Sequence, residues 1–148
     1  MARSTVRISG LKELDRALGE LPKAAAKATL RKVLTEAAEP MARAARRNAP
    51  KQDYHLYESI DVSPRLNGRQ RALHRKENSP TFVETFVGTN NPAGVQQEFG
   101  NERHAAQPFL RPAWDAEKKP TVERIANSLW TEIERMAKRV ANKAARGR

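Results

Sequence analysis

An α+β fold is predicted by three features of the sequence. Aliphatic residues recur at helical spacing towards both ends, the middle is β-branched and aromatic, and prolines and glycines separate the pieces. The expected architecture is a small antiparallel β-sheet packed against an alanine-rich N-terminal helix and a long C-terminal helix, with a protruding basic hairpin or arm. At 148 residues the chain suits one domain, 1–148.

Each element follows from its local pattern. Val6-Arg7-Ile8 alternates and ends at Ser9-Gly10, which predicts a short strand. Leu11, Leu14, Leu18 and Leu21 then lie on one helical stripe, and Pro22 closes that helix and opens the next. From Lys23 to Asn48 the chain is rich in Ala, Lys, Arg and Glu, with Leu30, Val33, Leu34, Ala37, Met41 and Ala45 at helical spacing. Pro40 sits inside that run and predicts a kink or a division into two collinear helices.

The middle is read as strands, with Leu56, Ile60 and Val62 in the first and Thr81 to Thr89 in the second. Between them, Pro64 to Pro80 contains Asn67-Gly68, a strong hairpin-turn dipeptide, and the cations Arg65, Arg69, Arg71, Arg75 and Lys76. Asn90 to Gly94 is a further turn cluster. Val122, Ile125, Leu129, Ile133, Met136, Val140 and Ala144 then predict a long helix opening at Pro120. Its last stretch, 135–148, carries six basic residues and no acid: a well-matched helix C-terminus or a phosphate-tracking tail.

Composition narrows the function classes. The chain has no cysteine, which removes disulfide scaffolds, thiolate metal sites and cysteine nucleophiles. No apolar run approaches the roughly 18 residues of a membrane span, and Met1 to Arg7 lacks a signal-peptide core, so a soluble protein made in the cytoplasm is expected. Only 39% of residues are apolar and 30% are charged, which predicts a modest core and surface reserved for a partner. The net charge of +11 predicts attraction to nucleic acid, acidic membranes or acidic protein surfaces.

Catalytic patterns are sparse. His55, His74 and His104 have no metal-ligand spacing, and Ser59, Ser63, Ser79 and Ser128 lie in no nucleophile elbow. Gly88 to Gly94 has no Lys-Ser/Thr after its second glycine, so a turn is expected there instead of a phosphate loop. Glu84 and Glu98 are candidate paired carboxylates, but nothing in the sequence brings them together. The basic residues are dispersed without a nucleic-acid reader motif, and Tyr54, Tyr57 and Phe109 form no stacking signature. No enzyme activity and no cofactor are expected.

Two clusters stand out from a solvated surface. One is Asn48-Ala49-Pro50 followed by Leu56-Tyr57-Glu58-Ser59-Ile60. The other is Gln96-Gln97-Glu98-Phe99-Gly100 followed by Gln107-Pro108-Phe109-Leu110-Arg111-Pro112-Ala113-Trp114-Asp115. In the second, the two prolines predict an extended segment whose Phe109 and Arg111 anchor a neighbouring subunit. The competing reading packs Phe109 and Trp114 beneath the C-terminal helix and leaves Arg111 without a role.

With Ile8-Ser9-Gly10-Leu11-Lys12-Glu13-Leu14 at the start and Val87-Gly88 between the clusters, the chain resembles a family of neck and tail-completion proteins of lambda-like long-tailed bacteriophages. The order of motifs holds over residues 5 to 118. His55 stands where that family often has a glycine, and Pro64 to Pro80 is long and basic. The resemblance implies a non-catalytic virion protein in a ring, commonly six-fold, around the DNA channel, joining the tail to the DNA-filled head. It implies neighbouring neck proteins as partners, among them head-closure, tail-terminator and tail-tube proteins, with non-specific contact to packaged DNA. A tail terminator that fixes tail length is the alternative within the resemblance, and a basic nucleic-acid-binding module lies outside it. The assembly contacts expected are Glu98, Phe99, Gly100, Pro108, Phe109, Leu110, Arg111 and Pro112, with the basic arm of Arg65, Arg69, Arg71, Arg75 and Lys76.

Overall fold

A computed structural model describes residues 11–52, 54–75 and 82–147. The strand predicted at residues 6–8, Lys76 and the end of the basic segment lie outside the described residues. Among the described residues, six helices and two strands follow in order: α1 (Leu11–Gly19), α2 (Lys23–Asn48), α3 (His55–Ser59), β1 (Ile60–Ser63), α4 (Gly68–Leu73), β2 (Phe86–Thr89), α5 (Ala93–Phe99) and α6 (Leu110–Arg146). The class is α+β, as the sequence predicts.

The long helices α2 and α6 run antiparallel. Lys32 meets Glu132 at 3.0 Å, Arg124 donates to the Ala37 carbonyl, and Asn48 donates to the Phe109 carbonyl. Alanine makes the close approach work, because Ala37, Ala38, Ala42, Ala44 and Ala45 are all buried along α2. Near the start of α6, Phe109 and Ala113 pack with Met41, Ala44, Ala45, Ala49, Leu56 and Ile60. Further along, Leu14 of α1 joins Val33, Leu129 and Ile133 in a second cluster.

The sheet is one antiparallel pair with Ile60 opposite Thr89 and Ser63 opposite Phe86. Ile60 and Val62 face the core, and Asp61 is exposed on the other side, as strand alternation requires. Arg46 donates to the Ile60 carbonyl and Gln70 to the Thr89 carbonyl, so side chains occupy backbone acceptors of both strands.

Five expectations need correction. First, Leu56 is buried as predicted but sits in α3, one helical turn before the strand. Second, β2 covers Phe86–Thr89 only, and Phe82 to Thr85 of the predicted run lie outside the sheet. Third, Asn67-Gly68 makes no hairpin turn. The Asn67 side chain accepts from the Gln70 N–H and the Gln70 side chain accepts from the Asn67 N–H, a capping box that starts α4.

Fourth, α6 begins at Leu110, ten residues before Pro120, and spans 37 residues, about 55 Å. Pro112 therefore lies in its first turn, where no N–H is needed, and the extended segment predicted between Pro108 and Pro112 is absent. Fifth, Pro40 does not divide α2 into two helices, and Pro120 likewise lies inside a continuous helix, with Pro22 at the N-cap of α2. The carbonyls they leave unbonded belong to Glu36 and Ala116, both exposed to water.

Candidate assembly surface

The start of α6 is built around one side chain from α5. Glu98 is 4% exposed, and its two carboxylate oxygens accept the N–H groups of Phe109, Leu110 and Arg111 at 2.8, 2.9 and 3.0 Å. These are free first-turn donors, and Pro112, next in line, has none to offer. A negative charge here also meets the positive end of the helix dipole. Burial pushes the Glu98 carboxyl up, but the N–H groups of Leu110 and Phe109 and the Arg111 side chain outweigh it and hold it below the usual carboxylate value.

Arg111 closes the same knot. Its Nε donates to Glu98 at 2.8 Å, a terminal nitrogen donates to the Glu98 carbonyl, and the guanidinium lies 5.0 Å over the Phe99 ring. Between the two helices the chain turns sharply. Gly100 holds φ 74° and ψ 176°. Asn101 Oδ1 accepts the N–H groups of Arg103 and His104, and Gln107 N–H returns to the Gln97 carbonyl at 2.7 Å.

Phe109 is fully buried, so it is a core residue and not an exposed anchor. Leu110 is half-buried against the same cluster, while Pro108 and Pro112 are exposed. Trp114, expected beneath the helix, is 57% exposed on it. Glu84 and Glu98 do not act as a carboxylate pair: Glu84 bonds His74 at 2.9 Å, and Glu98 is saturated by α6. The first sequence cluster lies directly behind the second, with Ala49, Leu56 and Ile60 against Phe109.

The two predicted assembly segments line one groove of about 920 Å³. Arg65, Leu66 and the α4 residues Gln70 and Leu73 line it from the basic segment, Phe86 and Gly88 from the sheet, and Val95, Phe99 and Arg111 from the other side. Leu73, Val95 and Phe99 are mostly exposed there. Arg69, Arg71 and Arg75 are exposed as well, with Arg71 donating to the Leu66 carbonyl. Val95 and Leu73 escaped sequence reasoning because an isolated aliphatic on a short helix carries no mark of exposure.

The floor of this region is tightly packed at Gly94. A Cβ there would lie 2.4 Å from Thr89 Cγ2, with Leu56 and the Phe109 ring behind it. Thr89 is held by Ser59 and by the Asn91 N–H, so it cannot rotate without losing those bonds. Gly94→Ala is therefore expected to cost about 1–3 kcal/mol in urea unfolding. Adding Thr89→Ser, which deletes the blocking methyl, should recover part of that loss; no loss in the single variant would refute the packing assignment.

Fold and site define a small α+β protein in which Glu98 and Arg111 cap α6 beside an open, largely apolar groove that Arg65 and Arg111 also line. Among the described residues there is no group of acidic or histidine side chains placed to hold a metal, and no helix is long and apolar enough to cross a membrane. The chain belongs to the phage family described as "Bacteriophage HK97-gp10, putative tail-component", which it matches over residues 12–100. No curated protein and no solved structure matches it. A bacteriophage tail component is a virion structural protein, and its partners are other proteins of the tail.

Proposed function

We propose that the protein is a non-catalytic ring subunit of the phage neck, 1–148 forming one joining domain, which completes the tail and connects it to the DNA-filled head. The observation that carries this reading is the groove, where residues from the basic segment, the sheet and α5 surround exposed Leu73, Val95 and Phe99. A ring contact is heterologous, so such a groove faces a different patch of the next subunit, in a ring that is commonly six-fold. Exposed apolar residues set among polar ones such as Asp61, Arg65, Asn67 and Arg111 match the usual pattern of a protein interface, an anchor core with a polar rim. Synthesis in the host cytoplasm, followed by docking against head-closure, tail-terminator and tail-tube proteins, completes the reading.

The test is deletion of the gene from its phage, with the lysate imaged by negative-stain electron microscopy. Filled heads beside unjoined tails of normal length are expected. Overlong tails would move the protein to the tail terminator, and normal infectious particles would overturn the assembly role. Supplying Phe99→Asp in place of the native chain should fail to restore joining. Full rescue would remove the groove from the interface.

A further inference from the structure

We infer that the last three turns of α6 form a binding site for the phosphodiester backbone of double-stranded DNA, distinct from the groove. Lys32 of α2 meets Glu132 of α6, and α6 then runs on to Arg146 while α2 has begun at Lys23. The end of α6 therefore projects past its partner, and every residue from Ala137 to Gly147 is exposed. Arg135 is spoken for by Glu132 at 2.8 Å. Lys138, Arg139, Lys143 and Arg146 have no ion partner among the described residues, and no acid follows Glu134 in the chain.

At 100° per residue these four cations fall on one side of the helix with Asn142 between them, and Ala137, Val140, Ala141 and Ala144 fall on the other. The cationic stripe projects along about 12 Å of helix axis. Duplex DNA carries one phosphate charge per roughly 1.7 Å of its own axis, so several phosphates lie within reach.

The stripe favours DNA over a protein surface because it lacks an anchor. Protein interfaces concentrate their energy in buried aromatic and large apolar groups, and the projecting helix offers only alanines and Val140. It favours duplex over single strands for a related reason. Single-strand sites stack bases on aromatic rings, and no aromatic residue follows Trp130. The contacts are with phosphates only, so binding is independent of sequence.

The test is fluorescence anisotropy of the full chain with a labelled 20-base-pair duplex across a salt series. One variant carries Lys138→Gln, Arg139→Gln, Lys143→Gln and Arg146→Gln. A control removes the same charge elsewhere, with Arg43→Gln, Arg47→Gln, Arg103→Gln and Lys119→Gln, all exposed positions. The stripe variant is expected to lose at least tenfold in affinity, and its slope of log affinity against log salt should fall by about 3–4. The control should keep most of the slope. Equal losses in both variants would reduce the effect to net charge and overturn the site. Tighter binding of polyglutamate or of single-stranded DNA than of the duplex, through the same four residues, would overturn the duplex assignment. Because the exchanged side chains are exposed and the readout is a purified binding curve, failure here leaves the neck assignment standing, and the reverse also holds.

Discussion

Glu98→Ala is expected to destabilise the folded chain by about 3–5 kcal/mol, a large share of the roughly 5–15 kcal/mol that holds a typical domain together. The substitution removes the acceptor from the N–H groups of Phe109, Leu110 and Arg111; the buried one, on Phe109, costs about 1–3 kcal/mol and the two part-buried ones cost less. It also releases the Arg111 side chain from its carboxylate. Glu98→Gln keeps the shape but turns an NH2 group toward donors, so an intermediate loss of about 1–3 kcal/mol is expected.

Acid provides a second readout. The carboxyl is depressed in the folded chain, so its contribution is complete above the ordinary glutamate value and is lost as pH falls from there through the lower folded value. The gap in urea midpoint between the native chain and Glu98→Gln should therefore be full at pH 7 and narrow progressively as the pH is lowered into the acid range. A Glu98→Ala chain as stable as the native one at pH 7 would show that water replaces the cap without cost.

Gly100→Ala is expected to be nearly as damaging, at about 3 kcal/mol or more. The backbone at φ 74° and ψ 176° lies in a region essentially reserved for glycine, costing about 1–3 kcal/mol for any other residue. A Cβ would also stand 2.8 Å from the Ala106 nitrogen and 3.0 Å from the His104 oxygen. Both are backbone atoms, and the loop that carries them is tied down by Asn101 and Gln107. Gly19→Ala, with nothing within 4 Å of the new carbon, is the matched control and should lose little. Similar urea midpoints for the two variants would refute the close approach at Gly100.

Much of the fold was legible because it is written in local periodicity. The stripe of Leu11, Leu14 and Leu18 and the run from Lys23 to Asn48 needed only helical spacing, and both are helices. Ile60 and Val62 likewise alternate inward. Where local signals competed, the stronger habit won wrongly. Asn67-Gly68 is a turn dipeptide, but Asn67 with Gln70 three residues on is also a capping pair, and the second signal governs. Pro112 suggested an extended segment and Pro120 a helix start, yet a first-turn proline and a proline whose free carbonyl belongs to an exposed residue both sit in one helix.

The candidate site was legible in its parts and not in its wiring. Glu98, Phe99, Gly100 and Arg111 were singled out together, and the structure joins them, but the cap spans 11 to 13 residues of sequence. No local rule predicts which carboxylate will reach a distant helix start. Burial of Phe109 was one of two open readings, and the structure decides for it, since one phenylalanine between prolines reads the same whether it faces water or core.

The antiparallel packing of α2 on α6 also sets the order in which the chain can settle. Lys32 and Glu132 are 100 residues apart. At ribosomal speeds of about 5–20 residues per second, α2 waits roughly 5–20 s after its own synthesis before its partner strip has emerged. Contacts so distant in sequence close slowly, and the waiting surface is open to wrong partners meanwhile. That surface is made largely of alanine methyls and not of leucine side chains. It is a weak glue for strangers that becomes adequate only when a second helix fits closely along its whole length.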